Sequence, residues 1–318
     1  MRKILFPEIE PLHSGYLQVS DIHTIHFEQA GNQKGYPAVF LHGGPGVGII
    51  PDYRRFFDPA FYHIILPDQR GAGRSKPHAE SQQNNTWELV EDLEKLRHHL
   101  GVGPWLVFGG SWGSTLALCY AIKFPHSIKG IIIRGVFLAR PSELEWLHKK
   151  GASEIFPDRW ERFIEIIPLF KRDDIVKGYY EILNGPDQKL ALKAAISWAG
   201  WEASIMNLIP DAAAIGNMTA DHAALSIGRI ECHFTYHKFF LETDNFILEN
   251  ISKMTDIPVR IVQGRYDIIC PMISAWQLHK ALPKSELVIV PDGSHSPLDK
   301  TMASELVQAT EIYKKYFK

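Results

Sequence analysis

Gly109-Gly110-Ser111-Trp112-Gly113-Ser114 is a stretch with few structural solutions. An apolar run, Trp105-Leu106-Val107-Phe108, leads into it, and a helix-prone run from Thr115 to Ile122 leads out. The order is strand, sharp turn, helix, with G-x-S-x-G at the turn, the setting in which that pentapeptide presents its serine as a nucleophile. A turn this tight forces a strained backbone at Ser111, so its neighbours must lack bulk, and Gly109 and Gly113 have no Cβ to clash. The pentapeptide alone is common by chance. Its flanks, and the partners found further along the chain, give it weight.

Around that turn the sequence reads as strands alternating with helices. Tyr16–Ser20 and Thr24–Phe27 flank Asp21-Ile22-His23 as a hairpin. Pro37–Leu41 and His63–Leu66 are continuous apolar runs of the kind a buried parallel strand needs, ending in His42-Gly43-Gly44-Pro45-Gly46 and in Asp68–Ser75. Thr86–Leu100 repeats apolar residues at a helical period, with Thr86 as the expected N-cap. Ile128–Arg134 is another buried strand. From Pro141 to Phe246 the chain reads as helical, and the strand–helix rhythm returns with Ile257–Gly264, a helix near Ser274–Leu282, Glu286–Val290 and a closing helix over Ser304–Tyr316. This predicts an α/β fold with a mostly parallel sheet. Residues 1–140 and 247–318 form its core, and 141–246 are a helical cap inserted over the strand ends.

Composition narrows the class. With 318 residues, 45% hydrophobic and 22% charged, the chain has material for a sizeable core and the balance of an ordinary globular protein. A net charge of −2 offers no electrostatic reason to expect nucleic acid or an anionic membrane as partner. The three cysteines, Cys119, Cys232 and Cys270, are too scattered for a disulfide framework or a zinc site and read as reduced thiols of a cytoplasmic protein. The apolar run behind Met1-Arg2-Lys3 stops at Pro7, too short for a signal peptide, and no window approaches the ~20 apolar residues of a membrane span.

A serine hydroxyl at neutral pH needs a general base, and the base needs an orienting acid. On a strand–helix scaffold these follow in the order serine, acid, histidine, each just past a strand end. Asp267 follows the Ile257–Gln263 strand and His295 follows Glu286–Val290. Asp292 competes as the acid, although its closeness to His295 along the chain makes a clean approach to the ring harder. The developing oxyanion needs two backbone donors: the Trp112 amide, and one from the glycine-rich loop after Leu41, at Gly43 or Gly44. That loop fits neither G-x-G-x-x-G nor G-x-x-x-x-G-K-[ST], which argues against phosphate binding. Asp68–Ser75 reads as a structural turn beside the site. His233 and His237, four apart, lack the glutamate of an H-E-x-x-H motif and read as packing residues. Cys270 is expected near His295.

At this point the residues carry a resemblance. His42-Gly43-Gly44-Pro45-Gly46, Asp68-Gln69-Arg70-Gly71-Ala72-Gly73-Arg74-Ser75 and Gly109–Leu116 are similar to the signature stretches of the proline iminopeptidases, serine peptidases of the α/β-hydrolase fold. The similarity continues through Ile133–Phe137, Trp198-Ala199-Gly200-Trp201-Glu202, Arg229-Ile230-Glu231 and Gly264-Arg265-Tyr266-Asp267 to Gly293–Ser296, almost the whole chain. It implies release of N-terminal proline from peptides, with no cofactor or metal. Glu202 and Glu231 match the carboxylates that hold the substrate's free amine, by charge-assisted hydrogen bonds. They also close the site beyond the first residue. Phe137 is the first candidate for the proline slot, with the Trp112 ring as a further wall. Arg134 is expected to partner an acidic residue rather than the substrate. The competing readings are another α/β-hydrolase activity, such as a small-molecule esterase or a broader aminopeptidase, and a non-catalytic binding protein on the same fold. The oligomeric state is left open.

Overall fold

The computed structural model describes residues 4–317; Met1–Lys3, which opened the segment weighed as a signal peptide, lie outside the described residues. Eight strands form one sheet: β1 (His13–Gln18), β2 (Thr24–Gly31), β3 (Tyr36–Leu41), β4 (Tyr62–Pro67), β5 (Trp105–Gly110), β6 (Ile128–Arg134), β7 (Val259–Gly264) and β8 (Glu286–Val290). Their spatial order is β1-β2-β4-β3-β5-β6-β7-β8. The β1/β2 and β2/β4 pairs are antiparallel and all others parallel.

Because successive strand residues point to opposite faces, each apolar run feeds two cores. Val39, Leu41, Val107, Ile131, Ile133 and Ile261 face one layer, where helices α1 (Thr86–His99) and α2 (Trp112–Lys123) pack. Phe40, Leu106, Phe108, Ile132 and Val262 face the other. The helical run between β6 and β7 comprises α3 (Pro141–His148), α4 (Ala152–Ile155), α5 (Pro157–Glu165), α6 (Ile175–Leu183), α7 (Gln188–Ile205), α8 (Ala212–Thr219), α9 (Asp221–Tyr236) and α10 (Phe246–Glu249). It has an apolar cluster of its own, built on Phe163, Tyr179, Trp198, Trp201 and Ile227. Helix α9 joins the layers: Ile227 and Cys232 face that cluster, while Ile230 and Phe234 pack against the sheet-side core. After β7 come α11 (Met272–Ala281) on the first face and α12 (Lys300–Tyr313) on the second, the latter starting earlier than Ser304.

One expected cap is corrected. The N-cap of α1 is Asn85, whose side chain accepts from the amides of Trp87 and Glu88 at 3.0 and 3.1 Å. Asparagine is the better cap, because its carbonyl reaches the orphan amides of the first turn. The Thr86 hydroxyl instead donates to the Phe239 carbonyl, tying α1 to the chain after α9.

The turn at Ser111 has the anticipated strain, with φ 57° and ψ −128°. The two flanking glycines are needed because backbone meets backbone: a Cβ on Gly109 would overlap the Gly113 carbonyl, and one on Gly113 would overlap the Leu41 carbonyl. Neither neighbour can yield without moving a strand or α2. Gly109→Ala is therefore expected to destabilise the protein by about 3 kcal/mol, the upper range of ordinary overpacking. Chemical denaturation would measure it.

Candidate active site

Strand ends set the positions of the chemical groups. Ser111 sits between β5 and α2, Asp267 in the loop after β7, and His295 in the loop after β8. His295 Nδ1 lies 2.9 Å from both carboxylate oxygens of Asp267. Asp267 also accepts from Gln263 Nε2 at 3.1 Å and from the Cys270 amide at 2.8 Å, so its carboxylate is fixed in place as well as buried. Asp292, the competing acid, is exposed, and the short link to His295 turns its side chain outward. His295 is anchored through its backbone, its amide donating to Met206 O at 3.0 Å and its carbonyl accepting from Arg134 Nη1 at 2.7 Å. The hydrogen bond of Arg134 goes to this carbonyl, while the charges of Asp267 and Asp299 act on it from nearby. Ser111 and His295 face one cavity of about 320 Å³.

The glycine loop reaches the serine. A Cβ on Gly43 would lie 3.2 Å from Ser111 Cβ and 3.8 Å from its Oγ, so the Gly43 backbone borders the nucleophile. Gly44 lines the cavities on both sides of Ser111. Trp112 opens α2, so its N–H has no partner a turn back in the helix and points out with the positive end of the helix dipole. Its ring does not wall the substrate cavity as expected. It is buried against Phe234 and Phe239, with Nε1 donating to Gln69 Oε1 at 2.7 Å, because an indole buried in a core must place its N–H on an acceptor. Gln69 was not anticipated. Its amide donates to His42 Nε2 and its side-chain nitrogen to the His42 carbonyl, at 3.0 and 2.9 Å, so one glutamine clamps the glycine loop to the serine turn. The Asp68–Ser75 loop is the structural turn it was read as, with Arg70 paired to Asp92 and Glu88 and Asp68 accepting from the Ile49 amide at 2.7 Å.

Beside Ser111 lies a narrower cavity, about 20 Å³, lined among others by Phe137, Glu143, Leu147, His148, Glu202, Glu231, Thr235 and Phe239. Glu202 from α7 and Glu231 from α9 meet there and hydrogen-bond to each other. Burial raises the pKa of Glu202, and the bond to Glu231 and the proximity of His295 partly offset it. Burial, followed by the charge of Glu202, pushes Glu231 well above the usual carboxylate range. Trp198 Nε1 donates to Glu231 Oε2 at 3.1 Å, and the His148 ring stacks on Trp198 at 4.9 Å. Phe137 is held by its backbone: its amide donates to Ser114 Oγ and its carbonyl accepts from Thr115 Oγ1, at 3.1 and 2.7 Å. Leu147, His148, Thr235 and Phe239 were missed, since each sits at an ordinary core or helix position and nothing in its local sequence marks it.

Cys270 Sγ lies 4.0 Å from Ser111 Oγ, and burial pushes its thiol well up, keeping it protonated. The His233 and His237 rings pack 4.8 Å apart among Tyr180 and Phe240, and His233 Nε2 bonds the Asn84 carbonyl. Among the described residues no group of three or more His, Cys, Asp or Glu is placed to hold a metal ion, and no helix is long and apolar enough to cross a membrane.

The chain is similar to known proteins over most of its length. A family model described as the alpha/beta hydrolase fold matches residues 36–300. A proline iminopeptidase of Arabidopsis thaliana is 48% identical over 98% of this chain and 83% of its own. One of Neisseria gonorrhoeae is 47% identical over 95% of this chain and 96% of its own. Among solved structures, a bromoperoxidase of Bacillus anthracis superposes with a TM-score of 0.66 at 20% identity, covering 95% of this chain and 100% of that one, a likeness of fold alone. On these grounds the chain belongs to the proline iminopeptidases of the α/β-hydrolase fold.

Proposed function

We propose that this chain is a serine aminopeptidase that releases proline from the N-terminus of peptides. The observation that carries the reading is the buried carboxylate pair, Glu202 and Glu231, lining the same cavity as Ser111. An ammonium is the ligand that best compensates two desolvated carboxylates. Ser111 Oγ attacks the carbonyl of the first residue while His295, oriented by Asp267, takes its proton. The oxyanion that forms is held by the Trp112 amide and by that of Gly43 or Gly44. His295 then protonates the departing amine, and water, deprotonated by the same histidine, hydrolyses the prolyl ester. Phe137 supplies an apolar wall for the pyrrolidine ring. Residues 141–246 serve as the cap that carries both glutamates, between core segments 1–140 and 247–318. The buried, unpaired cysteines support a reducing compartment, which favours the cytoplasm.

Chromogenic anilides of proline, alanine and N-acetylproline test this directly. Proline is expected to be fastest, with the acetylated substrate slower by about 100-fold for loss of the charge-assisted contact. Equal or faster turnover of N-acetylproline anilide would indicate an esterase-like or amidase-like hydrolase instead.

A further inference from the structure

The two cavities that meet at Ser111 differ in kind. The narrower cavity of about 20 Å³ is lined by Glu202 and Glu231, whereas the wider cleft of about 320 Å³, which Glu202 also borders, runs outward past His295. A scissile bond at Ser111 straddles them, so if the first residue fills the narrow side, the departing peptide must lie in the wide one.

That cleft has a chemistry of its own. Its side-chain walls are largely aliphatic: Val47 and Ile50 from the loop after β3, Met206 and Met218 from the cap, Ile269 after β7 and Leu298 after β8. Its charged groups other than Glu202 and the triad histidine are Asp52, Asp211 and Arg134. Arg134 is 6% exposed and spends Nη1 on the His295 carbonyl; Asp52 is paired with Arg55, and Asp211 caps α8. Helix α8, which supplies Met218 together with Ala213 and Ala214, has no fully buried residue. One wall of the cleft thus presents apolar surface that a ligand side chain would cover.

We infer that this cleft is a subsite for the second residue of the peptide and selects an apolar side chain there, disfavouring an acidic one. The inference rests on the aminopeptidase reading above. An aliphatic or aromatic side chain removes the methionine, valine and isoleucine surface from water. A carboxylate enters a cleft that carries Asp52 and Asp211, and the one cation on its wall, Arg134, is buried and engaged with the His295 carbonyl. The second residue leaves with the amine when the acyl-enzyme forms. Its contacts therefore act in the acylation transition state and appear in kcat/KM, while hydrolysis of the common prolyl-enzyme is unaffected.

The test is a set of dipeptide amides, Pro-Gly, Pro-Leu, Pro-Phe, Pro-Lys and Pro-Asp, followed by release of free proline. Pro-Leu and Pro-Phe are expected to exceed Pro-Gly in kcat/KM by about tenfold, the scale of a small number of methylenes in an apolar pocket, and Pro-Asp to fall below Pro-Gly. In Met218→Ser, a change at a half-buried position on a helix with no fully buried residue, the Leu/Gly ratio is expected to fall toward one. Values of kcat/KM within twofold across the set, or Pro-Lys or Pro-Asp as the best substrate, would overturn the inference while leaving the aminopeptidase reading in place. A wild-type Leu/Gly ratio that Met218→Ser left unchanged would also overturn it. Absence of proline release from every amide and from prolyl anilide would overturn the aminopeptidase reading itself.

Discussion

Ser111→Ala will abolish proline release, lowering kcat by about 10⁵-fold or more, as expected for loss of the nucleophile in a serine–histidine–aspartate unit. Stability should stay within about 0.5 kcal/mol of the parent, the usual range for a change that removes no structural contact. The Ser111 hydroxyl meets the Cys270 thiol only at 4.0 Å, the long limit of a hydrogen bond to sulfur, so its removal leaves no well-made bond unmet. The backbone at φ 57° is imposed by β5 and α2 and is as strained for alanine as for serine. Turnover assays and denaturation curves on one preparation separate the two effects. A serine-directed phosphonate should label the parent at Ser111 and leave the variant unlabelled. Activity in Ser111→Ala within tenfold of the parent would place the nucleophile elsewhere.

Glu231→Gln is the second large effect. It replaces a charged acceptor with a neutral amide, and kcat/KM for prolyl substrates should fall by about 100-fold, the scale of one hydrogen bond to a buried charge. Turnover of N-acylated proline should change little, so selection for a free amine collapses. The pH dependence has a definite sign. Because burial and the neighbouring Glu202 raise Glu231, the pair keeps a proton to higher pH than an ordinary glutamate, and that proton belongs to the pair rather than to one oxygen. An arriving ammonium needs the carboxylate, so kcat/KM for prolyl substrates should rise with pH through a range above that of ordinary glutamate. Stability should move the opposite way. In this range the folded state binds a proton that the unfolded chain, titrating at about 4.3, has released. The pair's contribution therefore declines as pH rises from there through the folded pKa. Glu231→Gln removes one partner, so its stability should fall less between pH 5 and 8, and at the upper pH it should equal or exceed the parent. Denaturant midpoints at the two pH values check this, and parallel curves for the two proteins would contradict it.

Much of this protein was legible locally. The alternation of apolar runs with helical periods marks the sheet, because a buried parallel strand must be apolar on both faces and its crossover helix on one. The glycines around Ser111 mark the turn, since backbone crowding there excludes every other residue type. Asp267 and His295 stand just past strand ends, where chain order alone places them in reach of a serine turn. The loss of strand signals from Pro141 onward marks the helical run between β6 and β7. The pairing of Glu202 with Glu231 had no such local mark: nothing in the sequence around either sets it apart, and their importance came by resemblance.

Tertiary structure decided the rest, and for one reason: those choices depend on which side chains two distant segments bring face to face. Asn85 rather than Thr86 caps α1 because the Thr86 hydroxyl finds a carbonyl beyond α9. The Trp112 ring turns into the core because Gln69, from another loop, offers its N–H an acceptor. Arg134 binds a backbone carbonyl because His295 is the loop that passes over it. Sequence alone determined the sheet, the serine turn and the placing of Asp267 and His295 just past strand ends, since strand burial and backbone sterics act over a few residues. Only the packing of α7 against α9 put two carboxylates in one cavity beside Ser111, because burial and charge proximity exist only after distant helices meet.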